Sequence, residues 1–524
     1  MRSSLSLLGL WAGASALIFG SLVAPAGAVP VNNGCGYTRS DSDLNGDGFD
    51  DAVVGDPYAT VDGKREAGAI VVLFGDADGR IGEGKRRILT QASVPGSYVE
   101  AGDHFGWAVA IDDATMDLCA DLLVGSPGED WQGHANAGIA HLISFVPDLE
   151  GGPGVPIAKL LSEATLGQDV ESGDEFGSSV AIADARGADE ARGAIGAPGE
   201  DVGSVTDAGA VIEFGAQYGD IGRGREVRQG DGRTPGRPDQ GDRFGASLLV
   251  AALAVPGDDP NSIGYEWCFV SGAPGDLVNG RDAAGSVTLW AAETPFAQVV
   301  TQDTAAVDDV AEAGDQFGLS IAVNVSSGSP RGQVVVVGAP GEDVGAVRDA
   351  GSVTLLRSQT PGLQGFVVFD QDSKGMPGAA EAGDRFGHSV AMRYGADQLL
   401  AVGIPGEDLA DVVDAGMVQP IAVPSVELGE FHPLTPYTES SAGTPGSIGR
   451  GHQFGLALGA LRGRRETVLL VASPYGGAGS VFLVSERPGP TGSLTRSWVP
   501  GRDGVPRAES PGRFGWSLGS LQSD

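Results

Sequence analysis

The clearest chemical signature in the sequence is a short acidic loop near the N-terminus. It begins at Asp43 and fits the pattern Asp-x-Asn-x-Asp-Gly-x-x-Asp. Alternate positions turn the side-chain oxygens of Asp43, Asn45 and Asp47 to one side, and the glycine that follows permits a sharp turn. The carbonyl of Phe49 and the carboxylate of Asp51 complete the oxygen shell, which suits calcium better than magnesium or zinc. The alternative is a polar Asx-type turn without metal.

A second loop keeps part of this pattern. Asp113, Asp117 and Asp121 preserve the spacing, and Thr115 stands where the first loop has asparagine. Leu118 replaces the turn glycine, which weakens the match. We therefore expect calcium as the one metal cofactor, bound at the first loop, and leave open whether the second loop binds metal.

Residue types that serve catalysis form no comparable pattern. The six histidines include no pair at a metal-binding spacing. Gly387-His388-Ser389-Val390-Ala391 mimics a nucleophile elbow. However, serine recurs at the equivalent place elsewhere in the chain, at Ser179, Ser247, Ser320 and Ser517. The sequence therefore predicts no catalytic residue and a protein that is not an enzyme.

Three signatures, each present seven times, reveal the elements that position these loops. Phe-Gly occurs at Phe105, Phe176, Phe244, Phe317, Phe386, Phe454 and Phe514. Gly-x-Pro or a close variant occurs at Gly55, Gly125, Gly196, Gly272, Gly338, Gly403 and Ala472. Ala-Gly before an apolar run occurs at Ala67, Ala137, Ala208, Ala284, Ala350, Ala415 and Ala478.

Each repeat contains four candidate strands, which we call A to D. In one unit they are Phe317–Val323, Val334–Val337, Gly351–Leu356 and Gly365–Phe369. Seven such units predict an all-β fold, a seven-bladed β-propeller with four antiparallel strands per blade. The first unit has strands B, C and D but no preceding Phe-Gly strand. The last Phe-Gly strand, residues 514–521, is not followed by strands B, C and D of its own. We expect the C-terminal strand to pair with the N-terminal blade and close the ring.

This pattern resembles the FG-GAP repeats of the propeller of integrin alpha subunits, of bacterial integrin-like secreted proteins, and of glycosylphosphatidylinositol phospholipase D. The resemblance covers roughly residues 35 to 524. It implies that the A–B loops carry calcium on one face of the disc, and the loop from Asp43 to Asp51 looks like such a site. It also implies that ligands meet the opposite face, which the D–A and B–C loops form.

Acidic residues recur in those D–A and B–C loops. Aspartate precedes x-Phe-Gly, and a Glu-Asp pair follows Gly-x-Pro-Gly, as at Glu129-Asp130. Together they predict a ring of negative potential on the ligand face. The alternative is that each aspartate before x-Phe-Gly only accepts backbone N–H bonds in its turn.

The start of the chain is typical of an exported protein. Arg2, an apolar run over Leu5–Val23 and Ala26-Gly27-Ala28 predict a signal peptide over residues 1–28, followed by the propeller over residues 29–524. We expect a secreted, extracellular monomer without membrane insertion after cleavage. The net charge of −36 argues against nucleic acid as a partner.

The blade assignment also predicts the cysteine chemistry. Cys35 and Cys119 fall at the A–B ends of neighbouring blades, so we expect them to form a disulfide. Pairing of Cys35 across two chains, or a free Cys35, are the alternatives. Cys268 lies in a B strand and should be a buried thiol.

These inferences lead to one predicted function and one alternative. The leading hypothesis is a non-catalytic, calcium-stabilised, integrin-alpha-like binding or adhesion protein with an unknown protein or glycan ligand. The alternative is a secreted hydrolase with a site at the central channel.

Overall fold

The protein is a ring of seven antiparallel sheets, which confirms the predicted all-β, seven-bladed propeller. The computed structural model describes residues 42–76, 80–82, 85–146, 155–184, 190–217, 219–257, 262–305, 307–324, 333–358, 361–393, 399–425, 430–441, 446–462, 467–485, 493–500 and 513–521. Within each sheet the strands follow the order A, B, C, D. The A strands of neighbouring blades contact one another, so they form the inner wall of the ring.

The two inner strands of each blade, A and B, follow the ring from blade 1 to blade 7. The A strands are Ser517–Leu518, Val109–Asp112, Ser179–Ala183, Ser247–Pro256, Ser320–Val323, Ser389–Arg393 and Leu458–Arg462. The B strands are Ala52–Asp56, Asp121–Ser126, Ala191–Ala197, Ile263–Ala273, Gln333–Ala339, Leu399–Ile404 and Thr467–Ser473.

The two outer strands complete each blade in the same order. The C strands are Ala69–Leu73, Ile139–Val146, Ala210–Gln217, Ser286–Ala291, Ser352–Ser358, Met417–Ser425 and Ser480–Ser485. The D strands are Arg86–Leu89, Val155–Leu161, Arg225–Val227, Ala297–Val300, Gln364–Phe369, Glu430–Pro433 and Ser493–Trp498. Asp220–Ile221 adds a short strand to blade 3, and the described helices are the single turns Gln91–Ser93 and Glu163–Leu166.

The A strands begin later than the sequence predicts, for a local reason. In blade 5 the strand begins at Ser320 and not at Phe317. The glycine between them, Gly318, has a φ of 95°, so Phe-Gly forms a turn that enters the strand. The Phe-Gly aromatic rings themselves are all 0 or 1% exposed.

Phe-Gly also joins each blade to the one before it. The Phe N–H donates to the carbonyl of the Ala-Gly alanine in the preceding blade, at 2.8 to 3.3 Å in all seven cases. The Gly N–H donates to the carbonyl of the Gly-x-Pro glycine, or of Ala472, in its own blade at 2.8 to 3.2 Å. The three repeated signatures therefore meet at a single joint between blades.

This joint has no room for a side chain on the Gly-x-Pro glycine. A Cβ atom there would lie 1.9 to 2.3 Å from the carbonyl oxygen of the Phe-Gly glycine in the next blade, at Gly55, Gly125, Gly196, Gly272, Gly338 and Gly403. Serine at the start of strand A adds a hydrogen bond to that same carbonyl in five blades, from Ser179, Ser247, Ser320, Ser389 and Ser517.

The C-terminal segment makes the same contacts at the seam of the ring. Phe514 N–H donates to Ala478 of blade 7, and Gly515 N–H donates to Gly55 of blade 1. Ser517–Leu518 lies antiparallel to Ala52–Asp56, opposite Gly55 and Val54. The segment differs from the single strand expected over 514–521, because Ser520–Leu521 turns away to lie parallel to strand A of blade 2.

The first prediction concerns the space at the joint. Gly338→Ala should lower the free energy of unfolding by about 1–3 kcal/mol or more, because the methyl group meets backbone that cannot rotate away. Urea denaturation measures the change. The matched control is Ala472→Gly, which restores the usual glycine in blade 7 and should cost about 1 kcal/mol or less. Equal losses in both variants would contradict the close-approach argument.

The second prediction concerns the seam. Deleting residues 514–524 removes the buried Phe514 ring and strand A of blade 1, and loss of a buried Phe alone costs about 3–5 kcal/mol. We expect the truncated protein to associate through its open sheet edge and to lose its cooperative melting transition. Light scattering and calorimetry report both effects. A monomer with an unchanged melting temperature would show that the seam does not depend on this segment.

Candidate functional site

The loop from Asp43 to Asp51 folds around its own carboxylates. Asp43 accepts hydrogen bonds from the N–H groups of residues 46, 47 and 48 at 2.7 to 3.2 Å, and Gly48 has the expected positive φ, 85°. Asp47 accepts from the N–H of Phe49 at 3.1 Å. Asp51 accepts from the N–H groups of residues 44 and 75 at 2.9 Å. These bonds are those of the Asx-type turn, and they also hold the acidic side chains close together.

Burial and mutual repulsion destabilise the negative charges of this loop. Burial raises the pKa of Asp43 to about 6, and the charge of Asp47 adds to the shift. Burial also raises the pKa of Asp51 well above its usual range, with further contributions from Asp43 and Asp47. No basic side chain is among the main causes of either shift. The loop therefore has the oxygen donors and the uncompensated charge that a hard cation requires.

The second-blade loop takes nearly the same shape. Asp113 accepts from the N–H groups of residues 117 and 118 at 3.0 and 2.8 Å, and Asp117 accepts from the N–H of Cys119 at 2.9 Å. Leu118 adopts a φ of 78° in place of the missing glycine, a conformation that costs a non-glycine residue about 1–3 kcal/mol. The Ala120 N–H donates to the Asp43 carbonyl at 2.9 Å, so the two loops adjoin.

The aspartates before x-Phe-Gly are buried turn residues, whereas other acidic residues of the same loops are exposed, namely Glu100, Asp130, Glu171, Glu312 and Glu381. The aspartate of Gly-Asp-x-Phe-Gly is 0 to 2% exposed and accepts the N–H three residues before it, at Asp103, Asp174, Asp242, Asp315 and Asp384. Glu129 and Glu342 of the Glu-Asp pairs are also buried. This agrees with the turn interpretation for these buried residues, while the ring of negative potential stays a prediction that concerns the exposed acidic residues of the same loops.

The cysteines and the apparent nucleophile elbow are structural where the chain is described. Cys268 is a free, buried thiol as predicted, and burial raises its pKa. Cys119 is buried, but Cys35 lies outside the described residues, so their pairing stays a prediction. Ser389 donates to the Gly455 carbonyl at 2.7 Å, and burial lowers the pKa of His388 to about 4. Ser389 is thus part of a blade joint.

Sequence reasoning missed a cluster of aromatic side chains on the face opposite the acidic loops. We call it the aromatic site. It consists of Tyr58, His104, Trp107, Tyr475, Arg513 and Trp516, all half-buried or exposed. The Tyr58 ring centroid lies 5.3 Å from both His104 and Trp516, and Trp107 lies 5.0 Å from Trp516. The Arg513 guanidinium lies 3.8 Å from the Tyr475 ring centroid and 5.4 Å from that of Tyr58.

Three neighbouring blades build this site. Tyr58 and Tyr475 belong to the B–C loops of blades 1 and 7, and the other four members lie around the Phe-Gly turns of blades 1 and 2. In an antiparallel blade the B–C and D–A loops lie at one end and the A–B loops at the other, so the aromatic site and the acidic loops are on opposite faces. Asp56 fixes the segment by accepting the Arg513 N–H at 2.8 Å.

His104 is the titratable base of the aromatic site. Its Nε2 atom lies 3.5 Å from Glu66, and burial lowers its pKa although Glu66 opposes the shift. The imidazole is therefore neutral at neutral pH and able to accept a proton. Burial raises the pKa of Tyr58, while the charge of Arg513 lowers it.

A comparison of the repeats would have found this site. The residue after Gly-x-Pro or Ala-Ser-Pro is glycine in five blades, but it is Tyr58 in blade 1 and Tyr475 in blade 7. The residue after Phe-Gly is tryptophan only at Trp107 and Trp516. In the sequence, histidines and carboxylates outside the repeat pattern did not indicate a site. The site is indicated instead by aromatic residues at positions where the other blades have a different residue.

Comparison with known proteins finds one partial relative and distant structural neighbours. No family model matches the chain. A phosphatidylinositol-glycan-specific phospholipase D of Dictyostelium discoideum is 26% identical over 153 residues, which are 27% of this chain and 15% of that protein. The chain thus spans well under two thirds of the relative.

Two solved structures show distant likeness to the fold. The periplasmic gluconolactonase PpgL of Pseudomonas aeruginosa is 14% identical with a TM-score of 0.43, covering 88% of this chain and 98% of that one. The Dos1 propeller is 12% identical with a TM-score of 0.35, covering 72% and 68%.

These comparisons correct one prediction and leave another open. The expectation that the chain is not an enzyme is contradicted, because the partial relative is named as an enzyme, a phospholipase D. The FG-GAP assignment is not confirmed by a family model. No helix of the described residues has the length and apolarity to cross a membrane. The predicted signal peptide, residues 1–28, lies outside the described residues.

Proposed function

We propose that this protein is an exported FG-GAP-type propeller that binds a ring-shaped, negatively charged ligand, such as a phosphorylated or acidic sugar, at the aromatic site. The observation that carries the proposal is the juxtaposition of half-exposed aromatic rings with Arg513. Aromatic faces pack against the apolar face of a sugar ring, while a guanidinium recognises phosphate or carboxylate. The name of the phospholipase D relative combines a phosphate ester with a glycan, which agrees with this ligand class.

The charge of Arg513 supports the anionic part of this ligand. No hydrogen bond or salt bridge to its guanidinium is formed by the part of the chain that the structure describes, although its backbone N–H is bound by Asp56. The ring contacts to Tyr475 and Tyr58 orient the guanidinium plane and leave its N–H edge for a ligand.

Hydrolysis of the bound ligand is the second candidate function, and His104 favours it. A neutral imidazole inside the site, next to Glu66, can act as a general base towards water. Trp516 directly precedes strand A of blade 1, and Trp107 lies two residues before strand A of blade 2, so both side chains are close to the innermost strands of the ring.

We further propose that the loop from Asp43 to Asp51 binds calcium through the side chains of Asp43, Asn45, Asp47 and Asp51 and the carbonyl of Phe49. The converging carboxylates and their mutual destabilisation support this ligand set. Calcium would add a charge that neutralises the loop and stabilise the junction of blades 1 and 2. We also propose that the chain is cleaved after residue 28 and is a monomer. Cys35 and Cys119 form a disulfide in this proposal.

The third prediction tests ligand binding. A glycan array that includes phosphorylated and uronic sugars is probed with the exported protein. Trp107→Ala and Arg513→Ala should each weaken binding of the selected sugar at least about tenfold, equivalent to 1.4 kcal/mol. Tyr98→Ala is the matched control, because Tyr98 is a 76% exposed aromatic residue outside the site and should have no effect. Binding that survives in Trp107→Ala would exclude the aromatic site.

The same sugars separate binding from hydrolysis. If the protein is a hydrolase, the ligand should be cleaved over time, and His104→Gln should abolish product while retaining binding. Cleavage that persists in His104→Gln would rule out this base. Binding without any cleavage would leave a binding protein.

The fourth prediction concerns calcium. At a concentration one hundred times the dissociation constant, calcium should stabilise the protein by about 2.7 kcal/mol. Asp47→Ala or Asp51→Ala should remove the part of this gain that comes from the acidic loop, whereas Asp220→Ala, at an exposed aspartate in blade 3, should keep it. Calorimetry measures both the binding heat and the melting shift. Absence of any binding heat in the wild-type protein would refute the site.

A further inference from the structure

One buried contact recurs in four blades with the same chemistry. A glutamine at the start of the D–A loop donates its amide N–H to the carboxylate that follows Gly-x-Pro-Gly. The pairs are Gln91–Glu129, Gln229–Asp276, Gln302–Glu342 and Gln371–Glu407, at 2.5 to 3.1 Å. The glutamine thus supplies a neutral donor to a buried acid.

Blade 3 breaks this rule. Its D–A loop reads Ser162-Glu163 where blade 2 has Thr90-Gln91, and the facing residue is Glu200. Asp174 of Gly-Asp-x-Phe-Gly completes the group. One carboxylate oxygen from each of the three residues lies within 4.8 Å of the other two. Glu163 is 3% exposed and Asp174 is 1% exposed, whereas Glu200 is half-buried, so two of the three carboxylates are enclosed and the third reaches towards solvent.

One oxygen of Glu163 lacks a hydrogen-bond donor. Oε2 of Glu163 has no hydrogen-bond partner among the described residues, although this side chain is almost fully buried. Asp174 accepts the Glu171 N–H at 2.7 Å, and Arg228 is paired with Glu226 at 2.7 Å. The amide oxygens of the four glutamines are also without partners in the described part of the chain, so the same place lacks a donor in each blade. Of these five unpartnered oxygen atoms, the one in blade 3 belongs to a carboxylate that has two further carboxylates next to it.

Burial of uncompensated charge makes this arrangement unstable by itself. Burial, together with the neighbouring acids, raises the pKa of Glu163 to about 10 and that of Glu200 to about 8. A buried carboxylate needs a proton, a donor or a cation. A shared proton would satisfy one pair of carboxylates, but it would not supply a hydrogen-bond donor to the Oε2 atom of Glu163.

We propose that Glu163, Asp174 and Glu200 bind a hard divalent cation of the calcium and manganese class. Three carboxylates offer only oxygen ligands, which suits these ions and not zinc or copper. The site is on the D–A and B–C face and is therefore separate from the acidic loop that begins at Asp43. It rests on the replacement of glutamine by Glu163 in blade 3 and does not depend on the aromatic site.

The fifth prediction is an exchange between blades. Metal-stripped full-length protein is titrated with Ca²⁺, and separately with Mn²⁺ followed by electron paramagnetic resonance. Glu163→Gln gives blade 3 the side chain of its neighbours, so it should fold normally and lose one equivalent of bound metal. The converse change, Gln302→Glu, places a third carboxylate beside Asp315 and Glu342 and should add one equivalent.

Controls keep the outcome unambiguous. Asp47→Ala should remove the one equivalent of metal that the acidic loop binds. Glu163→Gln added to Asp47→Ala should remove a second equivalent. If Glu163→Gln does not fold, Glu200→Gln replaces it with the same expected loss. An unchanged metal count in a folded Glu163→Gln or Glu200→Gln variant overturns the proposal and leaves a shared proton as the explanation. Loss of calcium binding only in Asp47→Ala would likewise overturn it, while leaving the acidic-loop proposal intact.

Discussion

The close approach of two glycine backbones between adjacent blades is the constraint on which the ring depends. At six of the seven joints the carbonyl of the Phe-Gly glycine lies where a Cβ of the preceding Gly-x-Pro glycine would have to be. The Phe-Gly N–H groups then bond on both sides of this contact, and the Phe ring fills the space beneath it. Because apolar clusters span adjacent blades, such as the cluster joining Leu470 to Val54, this spacing also sets how well the core packs.

This joint explains why the fold could be predicted from the sequence. Residues that repeat for steric reasons, such as Gly338 and Phe386, mark the joint in every blade, and strand order follows from them. Strand limits were less predictable, since Phe317-Gly318 forms a turn and Ser520 leaves blade 1 for blade 2. The acidic loop was found because its acidic residues are contiguous in the sequence. The aromatic site was missed because its members come from both ends of the chain and meet only when the ring forms.

Function in such a fold is expected at positions where one blade departs from the others. The repeated residues are committed: Ser389 bonds to the next blade, and Asp103 holds its own turn. Their chemistry is therefore unavailable, although in the sequence they look like a nucleophile and a surface acid. Tyr58 and Glu163 each replace a residue whose local role is known from the other blades. Because the other blades show what a repeat position normally does, a residue that differs in one blade can be recognised. The equivalent residues of the other blades then serve as controls.

Most of these exceptions lie near the seam. Tyr58 comes from the N-terminal part of the chain, and Arg513 and Trp516 come from its end, so a ligand at the aromatic site contacts both. The acidic loop lies at the other end of blade 1 and is bonded to blade 2 through Ala120. The seam itself is held by short pairing at Ser517–Leu518 and by no covalent link among these described elements. A ligand or cation that binds only the closed ring adds its binding free energy to closure. Under the proposed function, ligand binding at the aromatic site would therefore stabilise the closed seam.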